Sequence, residues 1–388
     1  MDRSKWEYKK LGEVATFERG LTYSKGDEAT LSSKGVLRSN NIDLDTHQLV
    51  FDEIKYLNPD FVFPESKKLK KDSIFICMSN GSKAHLGKVA FADKDYDYAF
   101  GGFMGMIIPK DIYPRYLFYY FLSDNYRNGL EQIGKGANIN NLRFAQLAEF
   151  KVPFPSLSDQ QRIVAELDCL NEMIAVKQEQ LKDFDKLAQS IFYDMFGDPV
   201  SNEKGWTVFR LCELCKLSQG LAINSKSKHM LSSKGELPLL RIKDMKDGTR
   251  EIFVNSRECP PSCIADVDDI IYTRTGTLGL VFTNMRGVLH NNCFKINIDK
   301  SLLSKTYFME LVGGDLFKNR IVELAKRSSQ PDITHKLFLS QSIILPPLSL
   351  QQQFADKISA IEAQKELVKQ SIAETQALLD YTMDKYFG

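Results

Sequence analysis

PSLSDQQRIVAELDCLNEMIAVKQEQLKDFDKLAQSIFYDMFG, residues 155–197, decides the fold, because a second version of it occupies residues 346–388. Moved forward 191 positions, the first superposes Pro155 on Pro346, Gln160-Gln161 on Gln351-Gln352, Leu187 on Leu378 and Phe196-Gly197 on Phe387-Gly388 without a gap. Each copy reads as one long helix. In the first, Ile163, Leu167, Leu170, Ile174, Leu181, Phe184, Ala188, Ile191 and Met195 fall at steps of three and four that sum to sevens, the seam of a coiled coil. In the second, Phe354, Ile358, Ile361, Val368, Ile372, Leu379 and Tyr386 hold the register, with Lys365, Thr375 and Thr382 interrupting as Lys177 does in the first. Lys177 and Lys365 therefore mark where the seam is weakest. Pro155, Ser156 and Ser158-Asp159 supply breaker and N-cap chemistry, and Gly197 with Pro199 supplies the stop. A helix of roughly 36 residues is about 55 Å long, more than a domain core needs.

The chain has 388 residues, 43% of them hydrophobic and 26% charged, which suits two globular cores plus the helices. Its first ten residues are polar and charged, and no apolar run approaches the roughly 18 residues of a membrane span, so a cytoplasmic protein without membrane contact is expected. Seven cysteines fit reduced thiols better than a disulfide framework. The net charge of +1 neither supports nor excludes nucleic acid, because acidic residues crowd the helices while Lys and Arg gather in Gly- and Asn-rich loops.

The remainder is also duplicated. Trp6, Leu11, Glu13, Gly20 and Leu21 recur at Trp206, Leu211, Glu213, Gly220 and Leu221, and LSSKG stands at residues 31–35 and again at 231–235. Two tandem halves follow. Within each, KDSIFICMSNGSKAHLGKVAFA and DDIIYTRTGTLGLVFT read as strand, Gly turn, strand, then an aromatic-rich helix, a polar loop and a β-like KVPFP or SIILPP. The expected divisions are a first domain at 1–154, a first long helix at 155–197, a second domain at 198–345 and a second long helix at 346–388.

The doubled domain-plus-helix order, the SDQQ and SLQQ that lead into the helices, and the RTGTLG turn with its later SSQPDI loop resemble the specificity subunit of Type I restriction-modification systems, over the whole chain. The resemblance implies two target recognition domains, each reading one half of a split sequence in double-stranded DNA. It also implies that the helices hold two adenine methyltransferase subunits, which restriction (translocase/endonuclease) subunits join. The fold class expected is α+β: two tandem α/β domains joined by two long antiparallel coiled-coil helices with an approximate two-fold axis. An antiparallel pairing is the economical one, because the second domain is inserted between the end of one helix and the start of the other. Paired readers on a two-fold axis match the symmetry of duplex DNA. A stand-alone two-domain DNA-binding protein without enzyme partners is the alternative.

DNA contacts draw on Arg and Lys for phosphates and guanine, and on Asn and Gln for adenine. In the first domain these are Arg19, Arg38, Asn40, Lys83, Lys88, Lys135, Asn138, Asn140 and Arg143. In the second they are Arg241, Lys243, Arg274, Thr275, Thr277, Lys326, Arg327, Gln330 and His335. Solvated loop charge is the bland alternative for each. Val164, Val176 and Leu187, with Leu367, Leu378 and Tyr381, lie off the seam and are expected to meet partner subunits.

No catalysis and no cofactor are expected of this chain. Asn58-Pro59-Asp60 lacks the second proline and aromatic of an adenine methyltransferase motif, Gly101-Gly102 lies in no methyl-donor loop, and no phosphate-cradling loop is present. Pro59-Asp60 with Glu65-Ser66-Lys67 is a short-range imitation of a nuclease cluster. Cys212 and Cys215 have zinc-ligand spacing and could pair with Cys259 and Cys263, but they align with Gly12 and Ala15 in the other half, so no metal is expected.

Overall fold

The computed structural model describes residues 6–134, 141–255, 257–326 and 331–388, with the Lys83 side chain outside them. The chain divides into two compact units, Met1–Gln178 with Gln370–Gly388, and Glu179–Lys369.

In the first unit, Ser73–Cys77 is the sequence SIFIC, buried along its whole length. Side chains alternate across a strand. Ile74 and Ile76 accordingly enter one core cluster, and Phe75 and Cys77 enter another on the opposite face. This strand lies inside an antiparallel sheet in the order Ala15–Arg19, Met104–Pro109, Ser73–Cys77, Val89–Ala92. A second sheet runs Glu28–Ala29, Lys55–Leu57, Lys34–Leu37, Ala99–Phe100, its last pair parallel. Glu7–Lys10 pairs with Lys151–Phe154. The aromatic helix Pro114–Leu122, with proline at its first position, buries Tyr116 through Phe121.

The second unit repeats this plan. Cys215–Gln219, Cys293–Ile298, Ile270–Thr273 and Val281–Phe282 form the antiparallel sheet, and Thr207–Arg210 pairs with Ser342–Leu345. Its other sheet has five strands, in which Leu237–Leu240 and Gly287–Leu289 run parallel. Lys305–Gly313 takes the place of the aromatic helix.

The long helices are Leu157–Phe196 and Leu348–Phe387, 40 residues each and so about 60 Å long. Ser156 Oγ accepts the Asp159 amide at 3.2 Å, and Gly197, at φ +75°, ends the first helix. The glutamine doublets have a structural purpose. Gln160 is 1% exposed; its Oε1 accepts the Tyr113 amide at 2.8 Å and its Nε2 donates to Pro155 O at 2.9 Å. Gln351 is fully buried and does the same with the Ser304 amide and Pro346 O, both at 2.8 Å. Each glutamine thus ties the start of a long helix to the residue that precedes the aromatic helix of its own unit.

Both units show the helices running antiparallel. In the first, Tyr386 donates to Glu166 Oε2 at 2.7 Å, and further along Lys177 donates to Thr375 Oγ1 at 2.7 Å and to Ser371 O at 3.2 Å. In the second, Lys365 donates to Asp185 Oδ1 at 2.8 Å, and Phe192 and Phe196 pack on Phe354. The interruptions at Lys177, Thr375 and Lys365 are therefore cross-helix hydrogen bonds rather than gaps, Lys177 meeting Thr375 on the other helix, while Thr382 is buried at 2% exposure. The end of the first seam departs from the heptad reading. Phe192 and Phe196 are buried in place of Ile191 and Met195, because Tyr307 and Phe354 offer aromatic surface one residue further round the helix. Val164, expected to face outward, is 3% exposed in the first unit's core.

Candidate nucleic-acid interface

Gly20 follows the edge strand of the first unit's main sheet and lies directly against Gly101. Its amide donates to Met104 O at 3.1 Å, and Leu21 N donates to Phe100 O at 2.7 Å. A Cβ on Gly20 would stand 2.0 Å from Gly101 O, so only glycine permits the approach. The chain diverges above this crossing and opens a cleft of about 840 Å³, lined by Arg19, Leu21, Thr22, Tyr23, Glu28, Arg38, Ser39, Asn40, Ser79, Asn80, Gly81, Gly101, Gly102, Phe103 and Met104.

Three residues expected at a DNA surface meet here. Arg19, Arg38 and Asn40 are exposed at the cleft. Asn40 Nδ2 donates to Glu53 O at 3.1 Å, which fixes the amide. Asn80 is held more tightly, donating to Ser39 Oγ at 3.1 Å and accepting the Ser82 amide at 2.9 Å. Glu28 is paired with Lys55, and burial pushes the Tyr23 phenol up from its ordinary pKa. The cleft therefore offers two exposed guanidiniums, fixed amides and hydroxyls, an array suited to phosphates and base edges.

Lys88 lies elsewhere. It is 3% exposed, and its ammonium donates to Ile42 O at 2.8 Å, so it anchors a loop from inside and cannot serve as the DNA contact expected of it. Burial also lowers its pKa. A base whose folded-state pKa lies below its unfolded value makes the chain gain stability as pH rises through that interval. Replacement by an apolar residue of similar volume removes a buried charge. Lys88→Met is expected to keep DNA binding and to shift stability by no more than about 1–2 kcal/mol. It should also lose the gain at high pH, checked by fluorescence anisotropy and by denaturation across pH; a loss of binding would contradict the anchoring role. Arg143 is exposed. Lys135, Asn138 and Asn140, and Arg327 and Gln330 in the other unit, lie outside the described residues.

The second unit has the same crossing, with Gly220 N on Cys293 O at 3.2 Å and Leu221 N on Leu289 O at 2.6 Å. Its cations are more occupied. Arg241 is forked onto Asp244, 2.6 and 2.8 Å, and reaches Glu251 at 2.9 Å. That fork holds the Asp244 carboxyl below the usual range. Arg274 is forked onto Asp332 and donates to Gln219 Oε1 at 2.8 Å, joining two loops to the end of the strand Cys215–Gln219. Both arginines, expected at a DNA surface, are thus paired with carboxylates of their own unit and remain partly exposed. Lys243, Thr277 and Lys326 are exposed. Thr275 Oγ1 and His335 Nε2 are buried polar atoms without a partner among the described residues, and burial, followed by the charge of Arg274, lowers the His335 pKa.

The enzyme-like patterns do not assemble. Glu65 pairs with Lys68 and Lys70, whereas Lys67 pairs with Glu18. Cys215 packs in one core cluster and Cys259 and Cys263 in another, and burial pushes the Cys215 thiol up to about 12 and Cys259 to about 11.

A family model described as the Type I restriction modification DNA specificity domain matches residues 3–183 and 203–377. The chain belongs to the Type I restriction-modification specificity subunits. Curated relatives of this family include the StySPI specificity subunit of Salmonella potsdam, 25% identical over 401 residues, and the EcoKI specificity subunit of Escherichia coli K12, 26% identical over 400. Each alignment covers 95% of this chain and 84% of the relative. Among solved structures, a chain from a study of complex assembly and conformational transition in a type I restriction-modification system superposes with a TM-score of 0.62 at 20% identity, over 98% of this chain and 97% of that one. A specificity subunit from M. genitalium gives 0.56 at 15% identity, over 99% and 96%. No helix among the described residues of this specificity subunit is long and apolar enough to cross a membrane.

The sequence reading passed over Tyr23, Ser39, Asn80 and Phe103 in the cleft. Asn80 had a signal in its SNGS turn; Phe103 had none, because an aromatic residue beside a strand reads as core.

Proposed function

We propose that this chain is the non-catalytic DNA-reading subunit of a Type I restriction-modification complex, each unit reading one half of a bipartite duplex target. The observation that carries this is the cleft with Arg19, Arg38 and Asn40 at the same strand crossing that recurs at Gly220 in the second unit. Methyltransferase subunits, and restriction subunits through them, dock on the long helices. Supporting this, Val176, Leu378 and Tyr381 are 62%, 51% and 66% exposed in the first unit, and Leu187 and Leu367 are 46% and 57% exposed in the second. Such side chains on a helix otherwise rich in charge favour a partner surface.

Coexpression with the adenine methyltransferase of its host, followed by methylome sequencing, should reveal a two-part methylated motif with a fixed gap. Recovery of a stable chain that neither copurifies with the methyltransferase nor directs methylation would overturn the proposal. Within it, Arg38→Ala is expected to weaken binding of one half-site about five- to a hundredfold, the range for one good arginine–base contact, in anisotropy titrations at fixed salt. Equal loss at both halves would point to misfolding instead.

A further inference from the structure

At the mouth of the first unit's cleft stands an apolar side chain that the core does not use. Phe103 is 72% exposed. It sits in the turn Gly101-Gly102-Phe103-Met104, and its backbone is held firmly: its carbonyl accepts the Met78 amide at 2.9 Å and the Ser79 amide at 3.1 Å, and Met104 N closes the turn on Gly101 O at 2.8 Å. Behind it, Gly20 packs on Gly101, and Arg19 Nε approaches Gly102 O at 3.5 Å. A backbone held by these hydrogen bonds therefore presents a phenyl ring to solvent in a cleft that two exposed guanidiniums also line.

Resting on the DNA-reading function above, we infer that Phe103 is a wedge that enters one base step of the first unit's half-site and partly unstacks it. Aromatic and apolar wedges of this kind are stabilised by stacking on base faces and exact an unstacking cost that depends on the step, least at pyrimidine–purine steps. The cleft favours a nucleic acid over a protein surface, since its exposed lining includes Arg19, Arg38 and Asn40 while its apolar lining residues Leu21 and Met104 are buried. The second unit differs. There the carbonyl that accepts the two corresponding amides, those of Arg274 and Thr275, belongs to Asn292, at 2.8 and 3.4 Å. An amide cannot wedge but can pair with an adenine edge. The two half-sites are thus read by different chemistry at one equivalent position: deformation in the first, hydrogen bonding in the second.

The test uses the complex of this chain with its methyltransferase subunits, and a duplex carrying its methylated motif with 2-aminopurine placed at one position at a time. Apart from the adenines that the methyltransferase subunits flip out of the stack, binding should raise the probe's fluorescence at a single further step, in the half-site that Arg38→Ala weakens, and at no further step in the other. Phe103→Ala should abolish that rise and weaken the same half-site about five- to a hundredfold, Phe103→Trp should retain both effects, and the other half-site should be read as before. If the wild-type complex leaves the duplex unbound, the DNA-reading function fails and the inference with it. If the wild type binds while Phe103→Ala matches it in affinity and fluorescence, the wedge alone is refuted.

Discussion

Replacing Phe387 with alanine is expected to destabilise the first unit by about 3–5 kcal/mol, the range for truncating a buried aromatic ring, and to leave the second unit unchanged. Phe387 is fully buried although it is the penultimate residue, with its ring 5.1 Å from that of Tyr116 and 6.4 Å from that of Tyr120. Its equivalent, Phe196, packs 4.8 Å from Tyr307 and 5.3 Å from Phe354 in the second unit, so Phe196→Ala should show the converse pattern. The chain has two tryptophans, one in each unit. Trp6 stacks on Tyr386 at 6.3 Å, and Trp206 donates to Phe196 O at 2.8 Å. Urea denaturation of Trp6→Phe and Trp206→Phe backgrounds therefore follows each unit separately. Movement of both transitions by the same amount in Phe387→Ala would show that the aromatic plug is not local to its unit.

Gly20→Ala should be the most damaging single methyl group in the first unit's cleft. The added carbon would lie 2.0 Å from Gly101 O, 2.5 Å from Gly101 C and 2.6 Å from Phe100 O, all backbone atoms that no rotamer change can move aside. Either the strand crossing opens or the Gly101–Met104 turn shifts, and in both cases the cleft loses its shape. A displacement of this kind belongs with the overpacking and backbone effects that cost about 1–3 kcal/mol or more. Binding of the first half-site should fall at least tenfold in anisotropy titrations. Gly81→Ala is the matched control: it lines the same cleft, yet nothing lies within 4 Å of its Cβ position. If the two variants bind alike, the crossing is not what shapes the cleft.

Much of the architecture could be read from residues 155–197 and their copy, because a 191-residue offset without gaps and an apolar step of three and four are strong local signals. The alternation within SIFIC and its Gly turn likewise fixed a strand pair. The last turns of the first seam were misread because heptad counting assumes that one helix meets only another helix. Phe192 and Phe196 instead answer to Tyr307, more than 100 residues away. The glutamine doublets were visible as a motif, but their purpose depends on amides 47 residues distant. At the candidate interface, residue type picked out Arg19, Arg38 and Asn40, which line one cleft, without revealing which charges were already taken. Arg274 and its partner Asp332 are 58 residues apart. Arg241 and Asp244, three apart, could have been paired on sequence alone. Phe103 could be found only by overlaying the halves through the strand crossing, since GGF and its counterpart HNN share no residue.

The last nineteen residues, Gln370–Gly388, complete the hydrophobic core of a unit whose other residues end at Gln178, whereas the second unit is continuous from Glu179 to Lys369. During synthesis at about 5–20 residues per second, the ribosome needs on the order of 10–40 s after Gln178 to deliver them. Through that interval Tyr116 and Tyr120 have no Phe387 to cover them. The half of the protein made first is thus finished only after the second unit has been made, so completion of its core waits on synthesis of the other.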